Sequence, residues 1–161
     1  MTRFVGLDLS TKTGLVILEE DGFIREQEEI VHKCDTAESM IEMINDIVSR
    51  LQKDDVIMIE GFGFSSRQGF QLGGIGWGVR MELQKRGLSF SLAAPTVVKK
   101  FGAGKGNADK RELAVKVSNR WGFFHKSDNV TDAFVLAQMA RATTIEDGYT
   151  KDQLKTIQKI S

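Results

Sequence analysis

The chain has 161 residues, with 22 Lys/Arg balanced by 22 Asp/Glu and a single cysteine, Cys34. That length accommodates one domain with one hydrophobic core, the neutral balance argues against a general nucleic-acid binder, and a lone thiol excludes a disulfide framework and fits a reducing compartment. No segment has the length of a membrane-spanning helix and no apolar signal region opens the chain, so a soluble, cytoplasmic protein with no membrane partner is expected.

The first element carries the most information. Phe4, Val5, Leu7 and Leu9 enclose Asp8 in a continuous apolar run, the pattern of a strand buried on both faces. An ionised carboxylate is so costly there without a partner that Asp8 calls for a cation. A second strand over 13–19 follows closely enough for an antiparallel hairpin, and a third is expected over 23–31 after the Asp21-Gly22 turn. Asp35 and Glu38 form a capping-box-like start to a helix reaching about Leu51, with Met40, Ile41, Ile44, Ile47 and Val48 in its apolar stripe.

Residues 56–62, Val-Ile-Met-Ile-Glu-Gly-Phe, make another apolar strand with Glu60 at its carboxyl end, where ligands bind in open α/β sheets. Over 61–78, seven glycines are interleaved with Phe62, Phe64, Phe70 and Trp77. Glycine disfavours helix, so a mobile loop is expected to feed a closely packed helix that becomes regular over 79–85, and close packing suggests a partner. The aromatics suit either core positions or stacking against nucleic-acid bases.

A strand over 88–93 precedes Pro95, which fits the first turn of a short helix. The loop 102–107, Gly-Ala-Gly-Lys-Gly-Asn, then leads into a helix capped by Asn107. Its glycines and lysine make a candidate phosphate cradle, without the Lys-Ser/Thr pair of a Walker loop. Asp128 reads as the N-cap of a helix with Val130, Ala133, Phe134 and Ala137 at helical spacing, which puts Asp132 on its first turns. Asp8, Glu60 and Asp132 are thus expected to converge on one acidic site. The tail over 144–161 contains Thr150 and Gln153 at the start of a terminal helix that packs on the body or on a second subunit. Charge is uneven: residues 19–60 hold 4 Lys/Arg against 13 Asp/Glu, and residues 94–126 hold 8 against 2. The basic stretch is either a phosphate-binding face or the solvated side of ordinary helices.

Gly-Leu-Asp8-Leu-Ser with the nearby Thr-Gly, Ile-Glu60-Gly-Phe, the block from Pro95-Thr96-Val-Val-Lys99-Lys100 to Ala108-Asp109-Lys110, and Asp128-Asn-Val-Thr-Asp132-Ala together resemble the RuvC family of Holliday-junction resolvases. The resemblance covers nearly the whole chain in order, and the small size is similar to that of the phage-encoded branch. It implies an α/β, ribonuclease H-like fold, a five-stranded mixed sheet flanked by helices on both faces, in a single nuclease domain over 1–161 that works as a homodimer. The implied activity is metal-dependent endonuclease cleavage of branched DNA by paired nicks, leaving 5′-phosphate and 3′-hydroxyl ends.

The same resemblance implies that Asp8, Glu60 and Asp132 bind two Mg2+ ions, replaceable by Mn2+, with Asp8 bridging them. Hard oxygen donors suit these ions. Lys99 and Lys110 match family lysines beside the scissile phosphate. The family usually has an acid or a histidine three residues before the last aspartate. This chain has Asn129 there and Asp128 one place earlier, so either residue is a candidate ligand and Asp128 is alternatively only the cap. The family's junction-opening aromatic corresponds to Gly63, flanked by Phe62 and Phe64. Those two residues, with Arg67, Lys100, Lys105 and Arg111, are the candidate DNA contacts.

Three other readings compete. The Asp8 to Gly14 segment is also similar to the first phosphate loop of the actin and sugar-kinase ATPases, but the chain lacks the length for their second domain, so no nucleotide cofactor is expected. A ribonuclease H-like nuclease on structured RNA shares the carboxylates. A junction-binding protein impaired at Asn129 would bind without cutting.

Overall fold

The computed structural model describes residues 1–61 and 69–160. Strands β1 (Phe4–Asp8), β2 (Lys12–Leu18) and β3 (Ile24–Val31) are followed by helix α1 (Ala37–Val48), strand β4 (Val56–Glu60), helix α2 (Gly69–Lys85) and strand β5 (Phe90–Ala93). Four further helices close the chain: α3 (Pro95–Ala103), α4 (Lys110–Trp121), α5 (Asp128–Ala142) and α6 (Lys151–Ile157). The five strands form one mixed sheet in the order β3-β2-β1-β4-β5. β1, β2 and β3 pair antiparallel, whereas β4 lies parallel to both β1 and β5.

Alternation along the strands assigns each side chain to one of two cores. Val5, Leu7, Leu15, Ile17, Ile57 and Ile59 pack with α1 and α2. Phe4, Val16, Leu18 and Met58 point the other way, into a core completed by α3, α4, α5 and α6. The expected five-stranded mixed sheet with helices on both faces is therefore what the chain forms.

α5 is the centre of the second core, with Val130 and nearly every residue from Ala133 to Ala142 buried. It comes so close to the sheet that a Cβ on Gly6 would overlap the Ala133 carbonyl oxygen, and one on Gly14 would overlap the Asn129 carbonyl. Both glycines occupy the even positions that face α5, and Gly14 pairs in register with Asp8. These glycines are where helix and sheet backbones meet, beside the aspartate.

Several local expectations need correction. Thr36, not Asp35, caps α1, because its hydroxyl accepts from the Ser39 amide. Asp109, not Asn107, caps α4, accepting from the Glu112 amide at 2.8 Å. Ser127, not Asp128, caps α5 and also donates to Glu29 of β3. The glycine-rich segment is helical from Gly69, ten residues before regular helix was expected at 79. Burial of Ile75, Val79 and Leu83 along one face offsets the poor propensity of glycine. Its close partner lies in the same chain, since Gly74 and Gly78 leave room for Met40 and Ile44 of α1.

The terminal helix, left open between body and second subunit, packs on the body. Gln153 donates to the Phe101 carbonyl at 3.2 Å, and Tyr149, just before α6, donates to Gln138 of α5 at 2.6 Å. The expected capping box of Thr150 and Gln153 is present. Part of the acid-rich 19–60 stretch is paired internally: Arg50 pairs with Glu26, Glu28 and Asp46, and Arg3 pairs with Asp55 at 2.6 Å. Among the described residues no helix is long and apolar enough to cross a membrane.

Candidate metal centre

Two neighbouring parallel strands, β1 and β4, end in Asp8 and Glu60. Asp8 follows Phe4 and Gly6 on the side facing α5, and Glu60 follows Met58 on that side. α5 then projects Asp132 from its second turn towards the carboxyl end of the strands. One carboxylate oxygen from each of Asp8, Glu60 and Asp132 lies within 4.8 Å of the other two, and all three residues are half-buried. The three segments that supply them are far apart in sequence and converge as expected.

Burial makes three clustered carboxylates hard to ionise together. It pushes Asp8 well above the usual carboxylate range, and the charges of Glu60 and Asp132 add to the effect. Glu60 is pushed up to about 7 by burial and by Asp132, with Lys99 opposing. Asp132 is pushed up to about 6, again chiefly by burial, while a hydrogen bond with Asp8 opposes the shift. Asp128 raises Asp132 further, and Lys110 and Lys99 lower it. Three oxygen donors that repel one another without a cation, with no nitrogen or sulfur ligand among them, fit a hard divalent ion.

The shifts set a pH dependence in metal-free buffer. Glu60 has a folded value above its ordinary value near 4.5. The native chain therefore retains a proton that the unfolded chain releases between about pH 4.5 and 7, and stability falls as pH rises across that window. Glu60→Gln removes the penalty. In EDTA at pH 8 it is expected to stabilise the fold by on the order of 2 kcal/mol, read as a rise of about 5 °C in Tm. The gain should vanish near pH 4, where both forms are neutral.

The remaining candidates lie at different distances from this cluster. Lys99 and Lys110 act electrostatically on it. Lys110 pairs with Asp128 at 3.3 Å across the surface. The Asn129 side-chain amide donates to the Lys12 carbonyl at 2.7 Å and pins the start of α5 to β2. At the candidate phosphate cradle Lys105 pairs with Glu112 at 2.5 Å on the surface, and Asp109 accepts from the Glu112 amide. Lys100 and Arg111 are exposed on α3 and α4. Phe62, Phe64 and Arg67 fall outside the described residues.

Sequence reasoning missed the parts played by Gly6, Gly14 and Ser127. The two glycines lie on the α5 side of a period-2 pattern otherwise filled by large residues, which is the signal that could have found them. Ser127 was visible as a Ser three residues before Val130, but Asp128 competed for the same role.

No protein-family model matches the sequence, and comparison with curated proteins finds no relative. Solved structures do match. The structure of Thermus thermophilus RuvC is 18% identical, with a TM-score of 0.69 covering 88% of this chain and 95% of that one. T. thermophilus RuvC in complex with a Holliday junction substrate is 17% identical, with a TM-score of 0.67 covering 89% and 93%. The match covers most of both chains, and this chain has the RuvC, ribonuclease H-like fold.

Proposed function

We propose that the protein is a metal-dependent endonuclease that cleaves branched DNA, Holliday junctions in particular, by paired nicks. The observation that carries this reading is the convergence of Asp8, Glu60 and Asp132, from three separate segments, on a fold whose solved neighbour is complexed with a Holliday junction.

In this reading Asp8, Glu60 and Asp132 together would hold two Mg2+ ions. When bound, the ions supply activation of the attacking water and stabilisation of the departing oxygen. Lys99 and Lys110 offset charge that builds on the scissile phosphate, in keeping with the influence both already exert on the carboxylates. Asp128, one helical turn before Asp132, adds negative potential at the same place. Family-like cleavage leaves 5′-phosphate ends. The exposed apolar side chains of Ile41, Trp77 and Met81 on α1 and α2 suit contact with a second copy, and two active centres in a homodimer account for paired nicks.

A synthetic four-way DNA junction, a linear duplex and a matched RNA hairpin, each tested with Mg2+, Mn2+ and EDTA, check the proposal. Metal-dependent paired nicks confined to the junction are expected. Cutting of the RNA alone would assign a structured-RNA nuclease, and metal-independent junction binding without cutting would assign a junction-binding protein.

A further inference from the structure

We propose that the groove between α3, α4 and α6 is a second nucleic-acid site, which holds the phosphate backbone of a duplex arm flanking the acidic centre. The proposal deepens the nuclease reading and rests on it for the identity of that duplex as a substrate arm. The groove is a cavity of about 480 Å3. Lys100 from α3, Arg120 from α4, Lys155 from α6 and Lys159 just beyond it contribute four cations to its lining, against the single carboxylate of Asp152. No ion pair involving any of the four is found among the described residues, whereas Arg50, Lys105 and Lys110 are each matched by acids.

The wall that carries these charges is firm. Phe101 is fully buried behind it, and the buried Gln153 side chain ties α6 to α3 through the Phe101 carbonyl. The Arg120 guanidinium lies over the Trp121 ring, 5.6 Å from its centroid, which fixes the long side chain at little further entropic cost. Unneutralised cations drawn from three elements suit a polyanion better than a single small anion.

α3 is the wall shared by the groove and the acidic centre. Lys99 acts on Glu60 and Asp132, and Lys100, about 100° further round the helix, lines the groove. The groove draws two of its four cations, Lys100 and Arg120, from the basic 94–126 stretch.

The test measures equilibrium binding of the full chain to a linear duplex and to a four-way junction in EDTA, across a range of salt concentrations. The double variant Lys155→Glu/Lys159→Glu is compared with Lys53→Glu, a charge reversal remote from the groove. The double variant is expected to bind both DNAs at least about tenfold more weakly, with the slope of log affinity against log salt reduced by about 2. Equal behaviour of the double variant and Lys53→Glu, per charge reversed, would overturn the proposal. So would a rise in Tm with inorganic phosphate that the double variant abolishes without weakening DNA binding, since that assigns a small-anion site. If thermal unfolding shows that the charge reversals disturb the fold, Lys155→Gln/Lys159→Gln gives the same comparison. Absence of cutting by the unmodified chain would count against the nuclease reading but leave the duplex measurement able to decide the groove.

Discussion

Asp8→Asn, Glu60→Gln and Asp132→Asn are each expected to lower junction cutting by about 10³-fold or more, close to 4 kcal/mol of barrier, while junction affinity in EDTA is retained or improved. Each substitution removes one formal charge and leaves the side-chain shape unchanged, so the effect isolates the capacity to hold cations. Affinity should not suffer, because the half-buried carboxylates repel a phosphate when no metal is present. The measurement is single-turnover cleavage of a labelled junction alongside binding of the same junction. Residual cutting within tenfold of the unmodified chain would remove that residue from the metal-holding set. Asp128→Asn is the informative companion, because Asp128 is exposed and paired with Lys110. A loss beyond about 10²-fold would make it a fourth ligand, and a smaller one would leave it as a modulator of Asp132.

Gly6→Ala and Gly14→Ala carry the second large expectation. A methyl group at either position runs into a backbone carbonyl of α5, belonging to Ala133 and Asn129 respectively. Backbone cannot rotate away as a side chain can, so the helix must lift from the sheet. We expect a loss of about 3 kcal/mol or more for each, seen as a fall in urea midpoint or Tm. Function should fall further than stability alone accounts for. Asp132 travels with α5 and Asp8 stays with β1, so displacement opens the carboxylate cluster, and variants still folded at low temperature should cut poorly. A variant with unchanged stability would mean that α5 accommodates the methyl group without moving.

Strands β1, β2 and β4 were legible because their apolar runs are short, dense and bounded by turns. The site was legible for a related reason. An aspartate inside Phe-Val-Gly-Leu-Asp-Leu and a glutamate ending Val-Ile-Met-Ile-Glu stand out against their surroundings. Helix starts were less legible, because acidic and hydroxyl residues cluster at each one. Thr36 beside Asp35, Asp109 after Asn107 and Asp128 after Ser127 offer alternatives that only backbone geometry separates. The helix over 69–78 was obscured because glycine propensity is a local quantity, while the burial of Ile75 and Val79 and the fit of Gly74 and Gly78 against α1 are tertiary. The direction of Asn129 could not be read at all, since its partner carbonyl on Lys12 lies 117 residues away.

α5 is enclosed by sheet and helices along most of its length, and its first turns are joined to β2 by Asn129 and to β3 by Ser127. A helix held at so many points has little compliance: it cannot follow a phosphate that arrives a fraction of an ångström out of place. Under the proposed function the mechanical work of alignment falls on the nucleic acid, and substrates are expected to rank by how readily they deform. A four-way junction, already unstacked at its centre and free to swing its arms, can meet a rigid centre at low elastic cost, whereas a continuous duplex must be bent to do so.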